Sequence, residues 1–328
     1  LPGDPAKMML GQNQSQEQID NINAKYGFDQ SLGKQYFLYL NDLSPISFHS
    51  TKASDFSSLS SGKYTAQSLF CTTSFCVALK FPHLRESFQK SGKTVNSVIS
   101  ETLPNTALLA ISAISIALII GIFLGVISAI NKDGFIDNSI QVLSTLGMSV
   151  PSFFSAILFA WFFAFVLHQY THLNMIGNLY ELDDYGEHNQ LVLKNLILPA
   201  VVLGIRPLAV VTQLMRNALL DVLHQDYIRT ARSKGVNNFQ IIKNHALKNA
   251  LNPVVTAMSG WLASLVAGAV VIEYIVNWKG LGKVTIEAFQ NSDIPVVMRG
   301  ILFTACIFIV VNIMVDYIYT LLDPRVKI

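Results

Sequence analysis

The sequence predicts an all-α, polytopic integral membrane protein, and three observations carry that prediction. Hydrophobic residues fill 51% of the 328 positions and charged residues only 13%, with a mean hydropathy of +0.42. That charged share is about half of what a soluble domain carries. Apolar runs recur at about 104–130, 139–167, 192–216, 254–276 and 296–322, each long enough to cross a hydrocarbon core that takes about 20 residues. The most basic stretch, Asp221 to Pro253, lies between two of those runs.

Residues 1–100 are polar and mixed and are expected to form a lobe of their own, with residues 101–328 as the membrane domain. The chain opens on Leu1 rather than Met, and no signal peptide or first span is present to export the lobe. Leu1-Pro2-Gly3-Asp4-Pro5 reads as a tight turn. Cys71 and Cys76 lie in this polar region, bonded if it faces an oxidising compartment and two thiols otherwise. Cys306 lies in an apolar run, and no spacing suggests a metal site. Residues 87–94, ending in Gly92-Lys93-Thr94, invite comparison with a phosphate cradle. A cradle needs Gly where Ser87 stands and a strand before it, so any ATP is expected on another chain.

Loop 168–191 carries Glu181, Asp183, Asp184 and Glu187 with no Lys or Arg, whereas 217–252 is basic and the tail carries Arg325 and Lys327. The bias of Lys and Arg toward inside loops places 168–191 outside and 217–252 and the tail inside. Five spans then put residues 1–100 outside. Gly121 and Gly125 have the spacing that lets helices approach closely, or are two incidental glycines. Arg206 falls mid-run, where a charge costs about 2.5–3.5 kcal/mol on insertion scales. Pro207 follows it and cannot donate to the carbonyl of Leu203. Arg206 therefore either satisfies that carbonyl or an acid on a neighbouring helix, or lines a path and meets a substrate carboxylate. Glu273 and Asp316, near span ends, are expected to be interfacial or paired.

Within 221–252 the residues Asp226 to Lys234 contain no helix breaker. Gly235 offers a left-handed stop, and Asn237 or Asn238 can cap a second helix. Phe239, Ile242, Ala246 and Ala250 then recur at helical spacing on one face. Arg229, Arg232, Lys234, Lys243 and Lys248 are left to solvent, phosphates or a partner. From charge alone this helix–Gly–helix knuckle is a basic inside loop.

The residues of the knuckle say more. Asp226-Tyr227-Ile228-Arg229-Thr230-Ala231-Arg232-Ser233-Lys234-Gly235, followed by His245-Ala246-Leu247-Lys248-Asn249-Ala250-Leu251-Asn252-Pro253, resembles the cytoplasmic coupling loop of ATP-binding-cassette importer permeases of the dipeptide/oligopeptide branch. The resemblance implies that Thr230-Ala231-Arg232 is the small-residue segment and Gly235 the fixed glycine of a loop seated in a groove of the ATPase. It assigns coupling to Asp226, Tyr227, Arg229, Thr230, Ala231, Arg232, Gly235 and His245. It extends to the opening Pro-Gly-Asp-Pro turn, which in the family follows the first transmembrane helix and so implies a sixth, N-terminal span upstream of this sequence, to Gly27-Phe28-Asp29-Gln30-Ser31-Leu32 and to Gln35-Tyr36. It extends also to Asn277-Trp278-Lys279-Gly280-Leu281-Gly282, to Asp293-Ile294-Pro295 with Gly300, and to Asn312, Asp316 and Leu322-Asp323-Pro324-Arg325. Residues 50–80 look like an insertion the family does not require and are expected to form an irregular outer lobe. Trp278-Lys279 stands where a Pro often precedes the Gly.

The resemblance implies a permease subunit of an ATP-driven importer for short peptides, with a second permease, two ATPase subunits and an extracytoplasmic binding protein as partners. A permease for nickel or another small solute, or a secondary transporter, are the alternatives. The inverted repeats and paired intramembrane acids of a secondary transporter are not evident. No HExxH, GxSxG or Cys/His cluster appears, so no catalysis, metal or cofactor is expected, and no basic stripe interleaved with aromatics points to nucleic acid.

Overall fold

In a computed structural model the described residues are 6–7, 15–52, 55, 57–59, 64–90, 92–183 and 188–322. The opening turn, Asp184, Glu187 and the tail residues Arg325 and Lys327 lie outside them. The chain divides into two compact units, Leu1–Val98 with Ala288–Arg299, and Ile99–Glu287 with Gly300–Ile328.

The first unit begins with α1 (Gln16–Tyr26) and α2 (Leu32–Leu43). Ser15 caps α1 in a reciprocal box with Gln18, which satisfies two otherwise free amides. Strands β1 (Ile46–Ser50), β2 (Ala66–Cys71) and β3 (Phe75–Lys80) form an antiparallel sheet in the order β1–β3–β2. The irregular lobe expected over 50–80 is thus corrected. The signal is masked because the pattern is inverted: Ser47, His49 and Lys80 face inward, while Ile46, Phe48, Phe75 and Leu79 are exposed. Cys71 and Cys76 are cross-strand partners and are joined in a disulfide. The amides of Phe88 and Gln89 donate to the Asp293 carboxylate, and the Ser87 hydroxyl also donates to it.

The second unit is helical. The 36-residue α3 (Val95–Ile130) is followed by α4 (Phe135–Ser149) and α5 (Ser152–Phe159), which continues as a π-helical stretch Ala160–Val166. The single span expected over 139–167 is broken by a bend of 112°. Pro151 forces it: the residue before a proline is pushed out of the helical region, and Val150 is extended at φ −77, ψ 131. A one-turn helix α6 (His168–Thr171) and the hairpin β4 (Tyr180–Leu182) to β5 (Asn189–Leu191) lead to α7 (Lys194–Leu223). Next come α8 (Asp226–Ser233), the short α9 (Asn238–Gln240), a π-helical stretch Ile241–Ala246, and α10 (Leu247–Ile275). The last helices are α11 (Leu281–Gln290) and α12 (Ile294–Leu322).

Among the described residues, Val95–Ile130, Lys194–Leu223 and Ile294–Val315 are long and apolar enough to cross a membrane, and the bent pair α4–α5 makes up to four. The remaining expected run, 254–276, forms the body of α10, 29 residues long. Gly121 and Gly125 are not incidental. A Cβ there would lie 2.8 Å from the Val211 Cβ and 2.6 Å from the Met215 Cβ, so the two glycines let α3 and α7 meet at backbone distance.

Glu273 is paired, not interfacial. It is fully buried and accepts from the Thr106 hydroxyl at 2.6 Å and the Gly282 amide at 2.8 Å. Trp278, also fully buried, donates from its indole to the carbonyl of Asn105. These bonds pin the connection between α10 and α11 to α3, and a side chain at Gly280 or Gly282 would collide with the Glu273 carboxylate.

Candidate functional site

The knuckle is built as its residues require. Helix α8 ends at Ser233, and Gly235 sits at φ +79, a left-handed value that suits a residue without Cβ. The Val236 amide then donates to the carbonyl of Ala231 at 3.2 Å. Asn237 caps the next turn, its side chain accepting from the Gln240 amide at 2.8 Å.

The inward face differs from the expected one. Ile241, Ala246 and Ala250 are buried, while Phe239 is 72% exposed and Ile242 only half-buried. The π-helical stretch Ile241–Ala246 explains the change. Its i→i+5 bonds widen the turn, so Ala246 shares a face with Ile241, five residues back, rather than with Ile242.

That inward face belongs to a larger core. Ile228, Ala231, Ile241, Ala246 and Ala250 pack in one cluster with Val211, Met215 and Leu219 of α7 and with Val254 and Met258 of α10. The Tyr227 hydroxyl accepts from the Asn249 side chain at 2.8 Å, tying α8 to the start of α10. A displacement of the knuckle is therefore a displacement of the feet of two long helices, because close-packed interiors transmit strain.

The outward face is polar. Asp226, Tyr227, Arg229, Thr230, Arg232, Gly235 and His245 are exposed, and so are Lys234, Lys243 and Lys248. Asp226 and Arg229 face each other at 3.5 Å, fully in water, where such a pair contributes little. Of the residues assigned to coupling, Ala231 alone is turned into the chain's own core; its neighbours Thr230 and Arg232 remain outward. A Cβ on Gly235 would meet nothing within 4 Å of this chain.

Arg206 does not join this group. It lies 17 residues before Leu223, the last residue of α7, about 25 Å along that helix at 1.5 Å per residue. It is exposed in the single chain, and its guanidinium donates to the carbonyl of Met148 at 3.4 Å. That carbonyl, not the one of Leu203, is its partner, freed where α4 breaks before Pro151.

Sequence reasoning missed a second tie between α4 and α7. Arg216 makes a two-point contact with the buried Asp137, with Nε at 2.7 Å and Nη2 at 2.6 Å. Asp137 also accepts from the Ser128 hydroxyl on α3. Neither residue belongs to a motif, and they are far apart in sequence.

Comparison with known proteins agrees with this architecture. Residues 121–328 match the family described as binding-protein-dependent transport system inner membrane component. The chain is 32% identical to the dipeptide transport system permease protein DppB of Bacillus subtilis over 100% of this chain and 89% of that protein. It is 30% identical to the protein of the same name from Alkalihalophilus pseudofirmus, over 100% of this chain and 91% of the relative. Among solved structures, a chain of the inward-facing MetNI methionine ABC transporter in its native crystal form resembles it with a TM-score of 0.54. The match covers 70% of this chain and 97% of that one at 16% identity, a likeness of fold. The chain is a multi-pass membrane protein and belongs to the family of binding-protein-dependent transport system inner membrane components.

Proposed function

We propose that this permease subunit forms, with a second permease, the transmembrane path of an ATP-driven importer for short peptides, driven through the knuckle at 226–252. The peptide class is supported by the names of the full-length relatives, dipeptide transport system permeases. The observation that carries the coupling role is the two-sidedness of the knuckle. Its outer face is exposed and polar, and its inner face shares one core with α7 and α10. Two ATPase subunits drive the two permeases from the cytoplasm through loops such as this one, and a binding protein delivers substrate at the opposite side. On this reading residues 1–100 and 168–191 are extracytoplasmic. Coupling needs no chemistry in this chain. It needs the knuckle to make different contacts in the two states of the ATPase, since only a differential contact shifts an equilibrium. Arg206 faces the second permease or the path, its one contact among the described residues being the long one to Met148.

The test is the reconstituted complex in proteoliposomes. Dipeptides presented with the binding protein should stimulate hydrolysis and accumulate inside. Arg232→Glu with Lys234→Glu should release the ATPase while leaving the permease inserted. Peptide-independent hydrolysis with no uptake, or unchanged ATPase retention in the double variant, would overturn the reading.

A further inference from the structure

The first unit contains a second polar site that coupling does not use. Its sheet turns Ser47, His49 and Lys80 inward, where Tyr64, Asp42, His83, Arg85 and Arg299 gather around them. Asp42 is 2% exposed, and its oxygens are committed: Arg85 takes Oδ2 at 2.7 Å and the Tyr64 hydroxyl donates to Oδ1 at 3.0 Å. Asp293, the other buried acid among the described residues of this unit, is spent on Ser87 and the amides after it. Among the described residues two further cations are left without an acid. Lys80 is 5% exposed and Arg299 is 3% exposed, and Lys80 Nζ and Arg299 Nε and Nη2 have no hydrogen-bond partner among those residues. Their neighbours on the inner side are aromatic. Lys80 Nζ lies 4.5 Å from the Tyr64 ring centre, and the Arg299 guanidinium 5.3 Å from that of Tyr39.

The two unused atoms of Arg299 lie on one edge of the guanidinium. That edge is the fork whose two parallel N–H groups match both oxygens of a planar oxyanion. Arg299 Nη1, by contrast, already reaches the carbonyl of Pro295 at 3.5 Å. A point-like anion cannot use both donors of the fork equally well, whereas a carboxylate can. Lys80, Arg85 and Arg299 against Asp42 leave a formal surplus of two positive charges, 3 − 1, in a dry setting where buried charges are found paired. His49 and His83 do not change this sum, because burial, the largest effect on each, lowers their basicity and keeps them neutral. Lys80 also lines a cleft of about 630 Å³ on the surface of this unit, with Pro45, Thr65, Gln67, Phe81 and Pro82.

We propose that the inner cluster of this lobe is a carboxylate-binding site, in which the Nε–Nη2 edge of Arg299 takes both oxygens and Lys80 supplies the second positive charge of the field. The carboxylate comes from a free monocarboxylate or from the C-terminus of a short peptide. The second source rests on the proposed peptide function; the first does not.

The experiment uses the full chain in its purified complex, at constant ionic strength, titrated with sodium acetate, with dialanine, with dialanine amide and with sodium chloride. Binding is read by calorimetry and by the melting temperature of the complex. Acetate, dialanine or both should bind saturably and raise the melting temperature, while the amide and chloride should not. Arg299→Lys keeps the charge and removes the fork, and should weaken binding at least tenfold. Lys80→Met should weaken it by a smaller factor. If the arginine variant fails to assemble, the ligand series on the wild type decides. Dialanine without acetate assigns the site to peptide, and acetate with equal dialanine assigns it to carboxylates in general. Chloride as effective as acetate would overturn the fork, and no saturable binding of either carboxylate would overturn the site. Peptide uptake that persists without carboxylate binding refutes this site alone and leaves the proposed transport function standing.

Discussion

Gly235→Val tests the knuckle, because its direct cost can be worked from the backbone. Gly235 stands at φ +79, and a Cβ there would touch nothing in this chain. The cost to the isolated permease is therefore conformational, about 1–2 kcal/mol for a side chain held left-handed. If the variant relieves that strain when free and restores the bend when bound, the ATPase loses at most about 5–30-fold in affinity. A larger loss requires that the added side chain meet the partner. Gly235→Asn separates the two effects, since Asn tolerates left-handed backbone better than other residues with a Cβ. If only strain matters, Asn should bind the ATPase nearly as well as Gly. If the groove closes on the bend, Asn and Val should both release it. The assay is titration of purified ATPase onto the permease in nanodiscs, with hydrolysis and peptide uptake followed in parallel. Wild-type affinity and uptake with Val would refute the reasoning, leaving the knuckle as a basic inside loop.

Further outcomes are expected elsewhere in the chain. In a background with Cys306, the exposed free thiol, replaced by Ser, a cysteine at His188 should react with an impermeant reagent from outside and one at Lys243 should not; the reverse pattern would invert the topology. Arg206→Gln should change peptide preference if Arg206 lines the path and should weaken assembly with the second permease if it is an interface residue, both read from the same purified complex. Replacing both Cys71 and Cys76 by Ser opens a loop of sequence separation 5 and should destabilise the lobe by about 2 kcal/mol on the loop-entropy estimate, measured by hydrogen exchange of β3. His49 and His83 are held below their ordinary basicity, mainly by burial. Their folded values lie under the unfolded one, so the unfolded chain binds more protons in between. Protection of β1 and β3 should therefore fall as pH drops below about 6.5, the unperturbed histidine value, and be flat above it.

What could be read from the sequence depended on whether an element met water or lipid on one side and apolar neighbours on the other. The long runs over α3, α7 and α12 satisfied that condition, and their helices stand where the runs do. So did α8 and the stop at Gly235. The reading failed where the contrast was inverted or the pitch changed. In the lobe, Ile46, Phe48 and Leu79 are exposed while His49 and Lys80 are buried, so alternation pointed to no ordinary strand. In the knuckle, a π-helical stretch moved the buried face from Ile242 to Ile241, a shift that a fixed period of 3.6 cannot register. Pro151 marked the break between α4 and α5 openly, but the apolar residues on both sides concealed it in one continuous run. The polar ties joined residues that no local window contains, Asp137 with Arg216 and Glu273 with Thr106.

These misses bear on mechanism, because they fall at the junctions between helices. The runs alone describe independent spans, on which a push against the knuckle would have no defined effect. The π-helical stretch places Ile241 and Ala246 in the core that holds Met215 and Val254. The pair Asp137 and Arg216 fastens α7 to α4. A force on the outer face of α8 then reaches α7 and α10 through packing, and α4 through a buried charge pair whose loss would leave a charge uncompensated. The knuckle is legible as a motif from its own residues; the lever proposed for it rests on the long-range contacts beneath it.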